Sequence, residues 1–146
     1  MKNALVELLE WDTQFFGFKI AQVKERRISE KDWERIEAFC NEHDTQLLQF
    51  KCDAHHVESI KCAEKNGFHF VDIRATYEKY LQSNNEFRLT TSDKAKTRLA
   101  VEKDIKDLRK MTKGLFRQSR YYFDQMFNFE KVDLFYQDWV EKAVCG

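Results

Sequence analysis

The chain has no proline and only four glycines, Gly17, Gly67, Gly114 and Gly146, with no two close enough in sequence to build one loop. A loop that cradles pyrophosphate turns several backbone N–H groups onto one anion, and so close an approach generally needs clustered glycines. The sequence therefore predicts that a phosphorylated cofactor is held by residues outside it, or that the chain has another task. Net charge is missing as well: 25 basic residues balance 25 acidic ones and alternate with them. Nucleic-acid binding thus lacks its electrostatic footprint. No stretch approaches the about twenty apolar residues of a membrane span, and residues 1–11 carry Lys2, Glu7 and Glu10 where a signal peptide needs an unbroken apolar run. The expectation is a cytoplasmic protein with Cys40, Cys52, Cys62 and Cys145 as free thiols.

What is present suits a folded domain. A chain of 146 residues, 34% charged and 14% aromatic with thirteen Phe, has the makings of a bulky core. At that length it buries about two-thirds of its unfolded surface. Phe16, Phe18 and Ile20 alternate with smaller or polar residues, which predicts a strand beginning near Gly17. Ser29 followed by Asp32 is a relative of the capping box and opens a helix with Trp33, Ile36, Phe39 and Cys40 on one face. Leu47 to Cys52 reads as a buried strand, and Asp53 as the cap of a helix carrying Val57, Ile60 and Ala63 inward. Asn66-Gly67-Phe68 ends that helix, Gly67 in the left-handed position and Phe68 packed back on the last turn.

Phe68 to Tyr80 alternates as a long strand, with a phase slip between Phe70 and Val71 that predicts a bulge. Gln82 to Lys96 is polar and reads as a connection, with a short strand at Phe87 to Leu89. Thr97 to Val101 predicts a further strand, and Asp104 the cap of a helix with Ile105, Leu108, Met111 and Leu115 inward. Phe116 to Asn128 is an irregular aromatic loop, after which Val132, Phe135, Tyr136, Trp139 and Ala143 repeat at helical spacing. Strands alternating with helices argue for an α/β layer architecture.

Two motifs carry a family resemblance. Leu9-Glu10-Trp11-Asp12-Thr13-Gln14-Phe15-Phe16-Gly17-Phe18 opens the chain. Phe116-Arg117-Gln118-Ser119-Arg120-Tyr121 and Tyr136-Gln137-Asp138-Trp139-Val140-Glu141-Lys142-Ala143-Val144 come near its close. Together they resemble the GNAT acyltransferases that acetylate a dTDP-linked 4-amino-4,6-dideoxygalactose, dTDP-fucosamine. The resemblance covers about the N-terminal two-thirds of such an enzyme. It implies a GNAT-like mixed sheet flanked by helices, incomplete here: a partial N-terminal lobe over 1–81, a connection over 82–96, and over 97–146 the first strand and two helices of a catalytic domain. Acetyl-CoA is the cofactor of the full-length family, but its pyrophosphate loop and general-acid Tyr fall outside this sequence. No catalytic, cofactor or metal residue is assigned, and the chain alone is expected to be inactive and to bind no acetyl-CoA. Aligning His55 to Phe68 with the late helix of that family puts Ala63 where the acid Tyr stands, and Ala63 cannot donate a proton.

The resemblance also implies an acceptor site. Ser119, Arg120, Tyr121 and Tyr122 match the family's loop over the nucleotide-linked amino sugar, where Arg holds diphosphate and aromatic rings stack. The alternative is an aromatic loop packed on the core with Arg120 paired to Asp124. Cys40-x-x-His43 and Cys52-x-x-His55, with His56, Cys62 and His69 nearby, have zinc half-site spacing. Against that, Cys40 and Cys52 fall in buried elements as small hydrophobes. A Cys62–His nucleophilic pair lacks an activating third group. The Phe135/Tyr136/Trp139 stripe predicts a homodimer face if its partner strands lie elsewhere. A non-catalytic nucleotide-sugar-binding or assembly module is the competing function.

Overall fold

The computed structural model describes residues 4–78, 80 and 98–146. The chain divides into two compact units, Met1–Phe70 and Val71–Gly146.

The first unit is an α/β arrangement on a three-stranded sheet. Its elements are β1 (Val6–Leu8), α1 (Glu10–Phe16), β2 (Ile20–Val23), α2 (Glu30–Glu42), β3 (Leu47–Phe50) and α3 (Val57–Lys65). The strand order is β1-β2-β3. β1 runs antiparallel to β2 with Val6 opposite Val23, and β2 parallel to β3 with Ile20 opposite Leu47. A parallel pair needs a crossover, which α2 supplies. Central β2 is covered on both faces, so Ile20, Ala21 and Val23 are all buried. Ala21 and Val23 form a core with Val6, Ile28, Ile36 and Cys62, against which Trp33, Phe39, Cys40 and Leu48 pack.

Local signals explain the helices. Ser29 Oγ accepts from Asp32 N and Asp32 Oδ2 accepts from Ser29 N at 2.9 Å, a complete capping box. The bond from Ser29 N, and after it one that the Ser29 hydroxyl donates to the same Oδ2 at 2.8 Å, hold the Asp32 carboxyl below the usual carboxylate range. α3 closes on Gly67 at φ 78, with Phe68 N donating to Ala63 O at 3.0 Å. The Phe68 ring meets Trp33 and Phe50.

Several expectations are corrected. Phe16 is the last residue of α1, and the strand near Gly17 starts only at Ile20. Gly17, left-handed at φ 83, ends α1, and Leu9 N returns to Ile20 O at 2.8 Å. The alternation of Phe16, Phe18 and Ile20 thus spans a helix end and a turn. Asp53 does not cap α3: its carboxylate takes His55 N and the Arg27 guanidinium, and His56 is the N-cap, its Nδ1 3.3 Å from Ser59 N. Val57 is 61% exposed and Ile60 half-buried, while Ala63 is buried as expected together with Ser59 and Cys62.

Residues 68–78 form no strand, and Ile73 and Tyr77 are exposed. Alternation makes a strand only where a neighbour completes the ladder, and among the described residues this segment has none. The bulge expected at Phe70 and Val71 therefore does not arise. The connection 82–96, the strand at Phe87 to Leu89 and Thr97 lie outside the described residues. Residues 98–101 are not a strand either: Leu99 and Val101 are exposed, and Arg98 grips Asp104 at 2.6 and 2.8 Å. That grip, with a bond from Val101 N, holds the Asp104 carboxyl well below its ordinary range; Asp104 stands at the N-cap position of the next helix as expected, but its side chain makes no cap bond there.

The second unit is helical among the described residues: α4 (Ile105–Thr112), α5 (Arg120–Phe123) and α6 (Phe129–Cys145). Asn128 caps α6 through Lys131 N at 3.2 Å. Val132, Phe135 and Tyr136 are buried, with Tyr121 and Phe127 against them. Arg109 of α4 holds Asp138 at 3.2 Å and also Glu141 of α6. Met111 and Leu115, expected inward, are 69% and 64% exposed, Ile105 and Leu108 are half-buried, and the buried residue of α4, which packs on α6, is Thr112.

Ser59 supplies a test of the first unit. Its fully buried hydroxyl accepts from Ile28 N at 2.7 Å and contacts Ile28 O at 2.9 Å and His56 Nδ1 at 2.7 Å. Ser59→Ala leaves both backbone groups of Ile28 unpaired and is expected to cost about 2–4 kcal/mol in urea unfolding.

Candidate functional site

The candidate site grows from the reversal between α4 and α5. Gly114 adopts φ 69, a left-handed conformation that a side chain resists. The turn lets the Arg117 guanidinium lie back over Gly114, where an added Cβ would come within 3.3 Å of Arg117 Nε. Successive turns follow, with Leu115 N bonded to Thr112 O and Ser119 N to Phe116 O. They frame an open cavity of about 440 Å³ lined by Leu115, Phe116, Arg117, Gln118 and Ser119.

Of the four expected acceptor residues only Ser119 lines it. Its buried hydroxyl lies near Tyr136 without forming a well-aligned hydrogen bond. Arg120 is half-buried: Nη2 donates to Tyr121 Oη at 2.7 Å, the guanidinium carbon sits 4.4 Å from that ring's centre, and Nε has no partner. Tyr121 is 5% exposed and belongs to the core. Tyr122 donates its hydroxyl to Asp133 Oδ1 at 2.5 Å. Asp124 takes Met126 N at 3.0 Å, so its carboxylate serves the next turn and not Arg120.

Asp133, which the sequence reading passed over, organises this region. Its Oδ1 also accepts from Gly114 N at 2.8 Å. The Tyr122 hydrogen bond, then the one from Gly114 and the charges of Arg117 and Lys113, hold its carboxyl below the usual range against the opposing effect of burial. Burial first, and the same carboxylate second, push the Tyr122 phenol far up. Burial likewise raises Tyr136, with the Ser119 hydroxyl and Arg120 opposing. Asp133 left no local signal, since its partners are 11 and 19 residues away. The arrangement can present positive charge and hydrogen-bond donors to an anion. It contains no nucleophile and base poised on an open face.

The other constellations stay structural. Ser59 Oγ and His56 Nδ1 have the spacing of a nucleophile and its base, yet Ser59 is fully buried with Ile28 occupying its hydroxyl. His43 Nδ1 lies 2.9 Å from Phe39 O with its ring stacked on Phe39, away from a shared site with Cys40. Among the described residues no group of three His, Cys, Asp or Glu is placed to hold a metal ion. Burial pushes the thiols of Cys40, Cys52 and Cys62 up, away from the reactive thiolate. No described helix is long and apolar enough to cross a membrane.

No family model, curated protein or solved structure matches the chain.

Two outcomes test this geometry. Gly114→Ala forces a side chain into a left-handed conformation and against Arg117, and is expected to lower stability by about 1–2 kcal/mol in chemical denaturation. Because the Asp133 carboxyl is lowered on folding, its stabilisation is complete above the ordinary carboxylate range and is lost as pH falls through the native value. Urea unfolding followed by circular dichroism should show the parent more stable than Asp133→Asn above the ordinary carboxylate range, with the difference shrinking as pH falls through the native Asp133 value.

Proposed function

We propose that this chain carries the acceptor-binding part of a GNAT-type N-acetyltransferase acting on a nucleotide-linked amino sugar in the cytoplasm. Acetyl-CoA and the general acid would come from residues outside this sequence. The reading rests on one observation above the others: Ser119 Oγ and Arg120 Nε are buried polar atoms without a well-aligned partner, and Ser119 lines the open cavity of residues 115–119. Buried polar groups are normally paired, so an unpaired buried guanidinium nitrogen in this loop suits an absent anionic ligand. Arg117 adds a second positive charge to the cavity wall. Tyr121 lies in the core, which leaves Ser119, Arg120 and Tyr122 as the contacts of this proposal.

In GNAT chemistry the acceptor amine attacks the thioester carbonyl, with a base or water to take its proton, donors for the developing oxyanion and an acid for the thiolate. This chain supplies none of the last three in the proposal. It holds the diphosphate by charge and leaves the amine free for a cofactor bound elsewhere. Calorimetric titration checks this: dTDP and a dTDP-linked amino sugar are expected to bind, and Arg120→Ala to weaken binding at least about tenfold, the loss of one charge-assisted contact. Acetyl-CoA is expected to give no heat. Absence of dTDP binding by the parent chain sinks the proposal.

A second reading, an assembly module, is favoured by the exposed apolar groups Phe123, Phe129, Leu134 and Trp139. The homodimer stripe reduces to Trp139 in this reading, since Phe135 and Tyr136 are covered within their own unit. Light scattering separates the readings: a dimer that Trp139→Glu converts to monomer supports assembly, and a monomeric parent removes it.

A further inference from the structure

Asp133 lies in the first turns of α6, outside the loop that carries the cavity. One of its oxygens nonetheless reaches both ends of that loop, taking Gly114 N at 2.8 Å and the Tyr122 hydroxyl at 2.5 Å. Between those two donors stand Arg117, Ser119 and Arg120. We infer that Asp133 is a positioning residue whose carboxylate fixes residues 114–122 in the shape that turns Arg117, Ser119 and Arg120 toward an anionic ligand. The inference rests on the reading of this loop as a ligand surface, and Asp133 itself touches no ligand.

The chemistry of the pair of bonds supports the role. Hydrogen bonds to an ionised acceptor are shorter and stronger than neutral ones, and two on one oxygen fix direction as well as distance. The loop's own helix is short, since α5 is four residues long, below the length at which a helix stands by itself. Tyr121 in the core and Phe116 against Tyr136 anchor the loop through its rings, while Leu115 and Arg117 are exposed, so the backbone turn at Gly114 is left to the Asp133 carboxylate. The groups facing the carboxylate are Tyr122, Gly114 N, Arg117 and Lys113, so its charge also draws Arg117 back over Gly114. An acid that merely favoured the start of α6 through the helix dipole would have no reason to bond Gly114 and Tyr122.

The experiment uses the full chain, its Asp133→Asn and Tyr122→Phe variants, and Arg109→Ala, which breaks the α4–α6 ion pairs and leaves Asp133 in place. Brief trypsin digestion reads cleavage after Lys113, Arg117 and Arg120. Losing the charged acceptor is expected to speed cleavage at those sites by at least about tenfold in Asp133→Asn, with helical circular dichroism unchanged. Tyr122→Phe keeps the Gly114 bond and should fall between parent and Asp133→Asn. In Arg109→Ala the three sites should stay within about twofold of the parent, as for a partly exposed ion pair. Equal cleavage in parent and Asp133→Asn, or equal acceleration in Arg109→Ala, overturns the inference.

Should Asp133→Asn fail to fold, the parent decides. Its Gly114 amide resonance must shift as pH falls through the lowered Asp133 value, and a resonance that stays put across the acid range overturns the inference. A dTDP titration keeps the two readings apart. If the parent binds and Asp133→Asn binds at least about tenfold more weakly, positioning for the ligand is supported. If the parent does not bind, the proposed function falls, while the cleavage result still decides what Asp133 does to the loop.

Discussion

The second unit depends on where the Tyr121 ring goes. Its centroid lies 5.0 Å from Phe127, 4.8 Å from Phe135 and 6.1 Å from Tyr136, and it is almost fully covered. Aromatic pairs at such separations add about 0.5–1.5 kcal/mol each beyond burial. That packing is what allows α5 to exist, since four residues in isolation cannot offset the entropy of forming one helical turn. Ser119 and Arg120 are in turn set by α5. Arg120 lies against the Tyr121 ring, an arrangement worth about 0.5–2 kcal/mol and sensitive to replacement of either partner. Neighbours in sequence thus divide their work: Tyr121 anchors, and Arg120 is presented by the anchor.

The first unit is held by different means. Its core is aliphatic around β2, and its polar keystone is the Ser59 hydroxyl on both backbone groups of Ile28. Such a bond is strong because no water can replace it, and it ties the start of α2 to α3 across 31 residues of chain. Exposed pairs such as Lys19–Asp44 and Lys65–Glu30 add little by comparison. The buried Ser59–His56 contact is therefore best understood as framework. A nucleophile would need one free face, and here every direction is occupied.

Helices with chemical punctuation were legible in the sequence. Ser29 with Asp32, and Gly67 after Asn66, are local devices whose partners lie within five residues, and both form as read. The stripe Val132, Phe135 and Tyr136 also faces inward as its spacing implies. α1 was missed although Glu10 and Asp12 in its first turn and Gly17 at its end mark it, because Phe16, Phe18 and Ile20 mimic a strand period. Residues 68–78 failed for a different reason: alternation states what a strand would need and not whether a partner is present. The same limit hid Asp133. A carboxylate whose role is to meet Gly114 and Tyr122 leaves no mark in its own neighbourhood.

The scarcity of glycine acquires a physical meaning at the loop. A backbone anion cradle needs free N–H groups, but those of residues 114, 115, 119 and 122 are already bonded to Asp133, Thr112, Phe116 and Ser119. The side-chain donors of this loop are Arg120 Nε, Ser119 Oγ and the Arg117 guanidinium. Recognition built this way differs from a glycine-loop site. Its charges are partly exposed, so affinity must fall as salt rises, over the about 10 Å screening length at moderate ionic strength. The Asp133 carboxylate opposes an incoming anion unless Arg117 and Lys113 offset it. In the proposed reading Arg117, the charged residue of the cavity wall, would be shared between the ligand and Asp133. That sharing makes Arg117 the residue through which a diphosphate would compete with Asp133 for charge, coupling occupancy of the cavity to the tightness of the loop around it.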